Sequence, residues 1–169
     1  MEERRQEEHE LMEQEALEWN EALREETGWE QEKREDSSFG GKNGQGKLYL
    51  CSTPIGNLDD ITLRVLDTLK RVDLIAAEDT RHSIKLLNHF HIKTPMTSYH
   101  EYNKVEKARY LVEQLKKGVN IALVTDAGTP GISDPGEELV RQCHEAGVEL
   151  TSLPGPAACI TALTISGLP

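Results

Sequence analysis

The feature that most restricts how this sequence can fold is an alternation of short apolar runs with longer amphipathic segments, which begins at residue 47. Short apolar runs predict buried strands, whereas apolar residues that recur every three or four positions predict helices. Strands that alternate with helices of 10–15 residues are joined by right-handed crossovers and pair in parallel. The sequence therefore predicts an α/β fold with a mainly parallel sheet and helices on both faces. The predicted strands are residues 47–52, 73–77, 95–98, 119–125 and 148–153.

Capping signals place the helices between these strands. Asn103 with Glu106 three residues later is a capping-box pattern, and Asp134 followed by Pro135 is typical of an N-cap and a first helical position. A further helix is expected to run from Pro156 to the glycine at 167. The predicted helices are residues 61–72, 80–90, 103–117, 134–146 and 156–166.

Charge divides the chain into two parts at about residue 46. The formal net charge is −11, and residues 1–46 contain 15 acids against 6 bases, whereas residues 47–169 contain 15 against 13. We expect an acidic leader over 1–46, with a solvated helix at 7–26 and a flexible linker at 36–46. Residues 1–40 are expected to make few contacts with the α/β domain at 47–169. The alternative is a docking helix that uses Trp19 and Trp29.

Composition argues against several classes of protein. No apolar run approaches the roughly 20 residues that a membrane helix needs, and no signal peptide precedes the domain, so a cytoplasmic protein is expected. Nucleic-acid binding driven by charge alone is disfavoured, because the net charge is negative. The three cysteines, at 51, 143 and 159, lie in apolar stretches without CxxC spacing and predict buried thiols. The histidines lack metal-ligand spacing, and no metal site is predicted.

Ligands of parallel α/β sheets bind at the carboxyl ends of the strands. Four loops are expected to share that edge: 52–60, 78–82, 125–134 and 153–157. None contains the glycine pattern of a dinucleotide-binding turn or a P-loop, so nucleotide-binding enzymes of those two types are disfavoured.

The loop after the strongest predicted strand has the most unusual composition. Residues 125–136 contain three glycines and two prolines, which allow a ligand to approach the main chain closely. Asp126 and Asp134 could contact a cationic or hydroxyl-bearing ligand, although Asp134 could equally cap the following helix. At 153–157, Gly155 keeps the backbone open, and the next helix offers its first amides to a carboxylate.

The loop at 78–82 is the densest polar cluster of the chain. Asp79 or Thr80 could simply cap the following helix. Arg81 is harder to explain in that way, and a guanidinium at this edge suits a phosphate or a carboxylate. His100, in the polar segment 98–103, could act as a base but could equally be a surface residue.

Five segments in this order carry a resemblance to a known family: YLCSTPIGNLDDIT, AEDTRHSIKLLNHF, SYHEYN, LVTDAGTPGISDPG and LPGPAACITALTISGLP. Together they closely resemble the 16S ribosomal RNA (cytidine-2′-O)-methyltransferase family of the tetrapyrrole methylase superfamily. The resemblance covers residues 47–169 and implies an S-adenosylmethionine-dependent enzyme that methylates a ribose 2′-hydroxyl in 16S ribosomal RNA of the small ribosomal subunit. It also implies a homodimer, with the cofactor in a cleft between two domains. The sequence stops before the family's second domain, so we expect a truncated protein of low activity.

The resemblance further implies roles for particular residues. Glu78, Asp79 and Arg81 would face the RNA or the reacting ribose and act as the catalytic residues. The implied cofactor-binding residues are Pro54, Asp126, Ala127, Gly128, Thr129, Pro130, Gly131, Ile132, Ser133, Pro154, Gly155, Pro156 and Ala157. Two alternatives stay open: a methyltransferase that acts on a tetrapyrrole, and a non-catalytic half-enzyme that serves only for binding or dimerisation.

Overall fold

A computed structural model describes residues 2–27 and 39–168, and its centre is a parallel sheet. The strands are β1 Leu48–Cys51, β2 Leu74–Ala77, β3 Met96–Ser98, β4 Ile121–Val124 and β5 Leu150–Leu153. All pair in parallel in the order β3-β2-β4-β1-β5, so β3 and β5 are the edge strands. The predicted α/β fold is confirmed.

Helices precede, separate and follow these strands. They are α1 Glu2–Thr27, α2 Leu63–Arg71, α3 Thr80–His89, α4 Lys104–Lys116, α5 Gly136–Glu145 and α6 Ala158–Ser166. None of the described helices is both long enough and apolar enough to cross a bilayer.

The sheet separates two apolar cores. Leu69 of α2 and Leu87 of α3 pack on one face, and Leu111 of α4 and Leu139 of α5 pack on the other. All four side chains are at most 1% exposed, and burial of a leucine contributes about 1.5–3 kcal/mol. A sheet that is covered on both faces needs apolar residues at successive positions, which is why the three central strands β1, β2 and β4 appear in the sequence as continuous apolar runs.

Helix starts differ from the capping predictions. The Asn103 side chain makes no capping bond to α4; it accepts a hydrogen bond from the His100 amide at 2.9 Å instead, so the capping box is wrong. The Asp134 carboxylate accepts a hydrogen bond from the Gly136 amide, the first amide of α5. The helix itself begins at Gly136, two residues later than the predicted start at residue 134. The last helix begins after Pro156 rather than at it.

The leader helix α1 packs against the sheet, so the expectation of few contacts is wrong for the part described. Met12 and Ala16 are buried, and Trp19 Nε1 donates to the Thr94 carbonyl at 3.1 Å. The Asn20 side chain donates to the Met96 carbonyl and accepts from the Met96 amide, both at 2.8 Å. The reason is that edge strand β3 leaves backbone groups unpaired on its outer side, and a polar side chain can satisfy them. Trp29 lies outside the described residues.

Residues 39–46 are fastened to the domain, so the flexible linker is wrong for this part of 36–46. The Phe39 ring stacks on Tyr49 with centroids 4.9 Å apart, and the Arg71 guanidinium lies 4.2 Å from the Phe39 centroid. The Gly46 amide donates to the Leu115 carbonyl at 2.7 Å. Residues 36–38 lie outside the described part.

The final helix is apolar, yet none of its residues from 158 to 166 is buried. Ile160, Leu163 and Ile165 are all more than half exposed. Cys159 is exposed with them, so the prediction of three buried thiols is wrong at this position. The other two cysteines are buried as predicted, and burial raises the pKa of each thiol to about 12.

Candidate functional site

The loops after β1 and β4 are joined at the carboxyl edge of the sheet. Thr53 and Gly128 exchange two backbone hydrogen bonds, of 2.9 and 3.0 Å. The Thr53 hydroxyl also donates to the Thr125 carbonyl at 3.1 Å. The two loops are therefore fixed relative to each other before any ligand binds.

A chain of hydroxyl groups adds the loop after β5. Ser52 Oγ donates to the Leu153 carbonyl at 3.0 Å and lies 3.0 Å from Thr129 Oγ1. Thr129 Oγ1 in turn lies 3.3 Å from the Pro156 carbonyl oxygen. A side chain at Gly155 would place its Cβ 2.7 Å from Ser52 Cβ, so only glycine fits there. Sequence reasoning assigned Thr129 to the cofactor but did not single out Ser52, whose only signal was its position directly after β1.

The turn at 127–133 depends on two glycines and one aspartate. Gly128 and Gly131 have φ of +88° and +85°, a region that favours glycine. The Asp134 carboxylate accepts from the Gly131 amide at 2.8 Å, the Ile132 amide at 3.3 Å and the Gly136 amide at 2.8 Å. Asp134 therefore holds the turn and the start of α5, which supports its structural interpretation.

The polar cluster after β2 is built on Asp79. Asp79 is the N-cap of α3 and accepts from the Arg81 amide at 2.9 Å. The Arg81 guanidinium donates to the same carboxylate through Nε at 2.9 Å and Nη2 at 2.6 Å. Burial raises the pKa of Asp79, but the hydrogen bonds and charge of Arg81 outweigh it, and the pKa is lowered overall. Arg81 is thus paired with a neighbour while 41% of its side chain remains exposed.

Glu78 is partly buried and contacts the neighbouring loop. The Thr125 hydroxyl donates a short hydrogen bond to Glu78 Oε2. Burial raises the pKa of Glu78, and the charge of Asp126 raises it further, although the bond from Thr125 opposes both. A carboxyl group with a raised pKa at a crevice can exchange a proton nearer to neutral pH than an ordinary glutamate can.

The loops at 78–82 and 125–134 meet at Asp126. Its Oδ1 accepts from the Asp79 amide at 3.1 Å, and its pKa is raised by burial and then by the charge of Asp79. The His82 ring adjoins both carboxylates, with Nδ1 3.5 Å from Asp79 Oδ2 and 3.9 Å from Asp126 Oδ2. Sequence reasoning missed His82 because its neighbour Asp126 comes from a distant part of the chain.

The structure brings most of the predicted site residues to one edge of the sheet. Those assigned to the cofactor occupy three loops that are tied together, and Pro54 among them is buried. The proposed catalytic residues occupy the fourth loop and are joined to the others through Asp126. Their chemical roles stay predictions. His100 is 5% exposed, so it is not a surface residue.

Comparisons with known proteins identify the family of this chain. A family model described as Tetrapyrrole (Corrin/Porphyrin) Methylases matches residues 47–169. Over 123 residues the chain is 62% identical to a Haemophilus influenzae protein named ribosomal RNA small subunit methyltransferase I. The aligned region covers 73% of this chain and 44% of that protein. A Bacillus subtilis protein of the same name is 53% identical over 135 residues, or 80% of this chain and 46% of the relative. The resemblance indicated by the five motifs is confirmed.

Solved structures support the fold. Uroporphyrin-III-C-methyltransferase from Thermus thermophilus has a TM-score of 0.55 and 22% identity, with 73% of this chain and 54% of that chain covered. A diphthine synthase has a TM-score of 0.59 and 15% identity, with 73% and 50% covered. At these identities the likeness concerns architecture alone. The chain spans less than half the length of the curated relatives it matches.

Proposed function

Because this chain belongs to the tetrapyrrole methylase family, we propose that residues 47–168 supply one half of a methyltransferase that uses S-adenosylmethionine. The substrate we propose is the 2′-hydroxyl of a cytidine ribose in 16S ribosomal RNA of the small ribosomal subunit. The observation that carries the proposal is the network of backbone and hydroxyl contacts that ties the loops after β1, β4 and β5 together at the carboxyl edge of the sheet, where parallel α/β sheets bind ligands. The names of relatives at 51–62% identity support RNA as the substrate class.

The residues present fit the cofactor. Gly155 lets the loop after β5 lie directly against Ser52, since a Cβ there would come 2.7 Å from Ser52 Cβ, and the turn at 127–133 exposes the side chain of Ile132. The first amides of α6 suit the carboxylate of the methionine moiety. When bound, S-adenosylmethionine supplies a methyl group on a positively charged sulfur, which is already a strong electrophile.

The protein's own contribution to such a reaction is alignment and proton removal. Thr53, Ser52 and Thr129 hold the three cofactor loops in a fixed relation before the substrate arrives. Glu78 is a candidate acceptor for the hydroxyl proton, because its pKa is raised and Thr125 fixes its carboxylate. The Arg81 guanidinium, oriented by Asp79, is a candidate partner for an RNA phosphate.

We further propose that the working protein is a cytoplasmic homodimer. The exposed apolar side chains of α6 support an additional protein surface against this helix. In this proposal, the part of the relatives that this chain does not match supplies further cofactor contacts. The chain by itself should then bind the cofactor weakly, because three lost contacts of about 1 kcal/mol each weaken affinity more than a hundredfold.

A tetrapyrrole substrate is the second candidate. The description of the matching family and the fold of the Thermus enzyme support it. The much higher identity to relatives named as ribosomal RNA methyltransferases favours RNA. A non-catalytic binding or dimerisation module is the third candidate, and the exposed face of α6 supports it.

The deciding experiment is a titration of the full chain with S-adenosylmethionine, followed by transfer of labelled methyl to small ribosomal subunits. We expect saturable binding, about a hundredfold weaker than that of the full-length Bacillus subtilis relative, and turnover that is barely detectable. Thr129→Val should weaken cofactor binding further. It should shift the melting temperature by no more than about 3 °C, because it removes only the hydroxyl that lies between the loops. Saturable binding of a tetrapyrrole with no binding of RNA would favour the second candidate. A folded chain that does not bind the cofactor at millimolar concentration would contradict the proposal.

A further inference from the structure

Three potential metal ligands converge where the start of α3 meets the loop after β4. Asp79, His82 and Asp126 each offer one ligand atom, and these three atoms lie within 4.8 Å of one another. We propose that these three side chains bind a divalent cation of the zinc type. No sequence motif announces this site, because Asp126 follows β4 whereas the other two residues follow β2.

The separations are close to those of a metal site. Ligand bonds to zinc of about 2.1 Å in a tetrahedron place neighbouring ligand atoms about 3.4 Å apart. The Asp79–His82 and His82–Asp126 separations are 3.5 and 3.9 Å. All three ligand atoms lie within 4.8 Å of one another, so closing the site around an ion requires side-chain shifts of about 1 Å.

Hydrogen bonds orient the two carboxylates toward the imidazole. Asp126 uses Oδ1 to accept from the Asp79 amide, which leaves Oδ2 on the side of His82. Asp79 is fixed through Oδ1 as the N-cap of α3, and its Oδ2, the oxygen nearest His82, also accepts from Arg81 Nη2 at 2.6 Å, so an ion would share that oxygen with the guanidinium. Residues three positions apart on a helix lie on the same side, which brings His82 over Asp79. Such outer contacts orient the ligands of established metal sites in the same way.

Charge also favours a cation at this position. Two carboxylates face one imidazole, and Arg81 compensates for only one of the negative charges. Repulsion between Asp79 and Asp126 contributes to the raised pKa of Asp126, after the larger effect of burial. A divalent ion between them would relieve this repulsion.

The ligand set indicates the type of ion. One imidazole nitrogen and two carboxylate oxygens suit zinc, whereas magnesium prefers oxygen ligands alone. His82 is 62% exposed and Asp126 45% exposed, so the outer side of the site is open to water or to a fourth ligand. If the proposed function holds, that open position would accept an oxygen of the RNA backbone; the binding of the ion itself does not depend on that function.

The test is calorimetric titration of the full, untagged chain with zinc chloride, with magnesium chloride in parallel. We expect one saturable zinc site and no saturable binding of magnesium. His82→Ala and Asp126→Asn should each weaken the affinity at least tenfold. His89→Ala is the matched control, because His89 is an exposed histidine at the other end of α3, and it should leave the affinity unchanged.

Cobalt provides an independent readout, since a four-coordinate site gives an intense visible absorption that His82→Ala should abolish. Circular dichroism melts establish that the variants are folded, and Asp126→Glu, which keeps a carboxylate, should retain part of the affinity. Absence of zinc binding, or equal binding by His82→Ala and the unaltered chain, would overturn the proposal. Titration of the metal-free chain with S-adenosylmethionine tests the proposed function separately. Cofactor binding without zinc binding would overturn the metal site alone, and zinc binding without cofactor binding would contradict the proposed function alone.

Discussion

The docking of α1 on the sheet edge leads to a sharp prediction at Asn20. Its side chain satisfies both the amide and the carbonyl of Met96, each at 2.8 Å, on the outer side of β3. Asn20→Ala removes two hydrogen bonds worth about 1 kcal/mol each and should lower the free energy of unfolding by about 2 kcal/mol. Asn20→Asp keeps the acceptor for the Met96 amide but loses the donor, so it should lower that free energy by at least about 1 kcal/mol.

Urea denaturation gives the free energies, and hydrogen exchange locates the effect. Exchange at the Met96 amide should accelerate in Asn20→Ala, because the amide loses its partner. Glu21→Ala is the control, since Glu21 is the next residue of α1 and is exposed. The reasoning is refuted if Asn20→Ala matches Glu21→Ala in both measurements, or if limited proteolysis removes α1 without any loss of stability.

Three further predictions concern the site. Gly155→Ala should lower the melting temperature, because its Cβ would lie 2.7 Å from Ser52 Cβ and such overpacking costs about 1–3 kcal/mol; an unchanged melt would contradict this. The folded-state pKa of Glu78 is raised above the ordinary 4.5, so its contribution to stability is present below that pH and is lost as the pH rises through the folded-state pKa. Glu78→Gln should therefore gain stability relative to the unaltered chain on going from acid to neutral pH. Urea denaturation at a series of pH values measures this difference. Arg81→Ala should raise the pKa of Asp79, which NMR titration measures. It should lower the free energy of unfolding by less than about 1 kcal/mol, because the ion pair is partly exposed. An unchanged pKa would show that Arg81 is not the cause of the shift.

The positions of most strands and helices could be predicted from the sequence. Strands buried on both faces must be apolar at every position, and the helices that cover them must be apolar on one side, so both leave a local pattern. The same holds for the loop at 125–136, where Gly128 and Gly131 adopt φ values that other residues rarely take. These features depend on residues that are neighbours along the chain, which is why composition and spacing were enough to predict them.

Only the tertiary structure decided which distant residues meet. Ser52 touches Thr129, and His82 touches Asp126, because β1 and β2 both flank β4 in the sheet. Strand order also left β3 at an edge, and its unpaired backbone groups gave the acidic helix α1 a place to dock despite its low apolar content. A local pattern carries no record of such contacts, since their partners are set by the order of strands across the sheet rather than by distance along the chain.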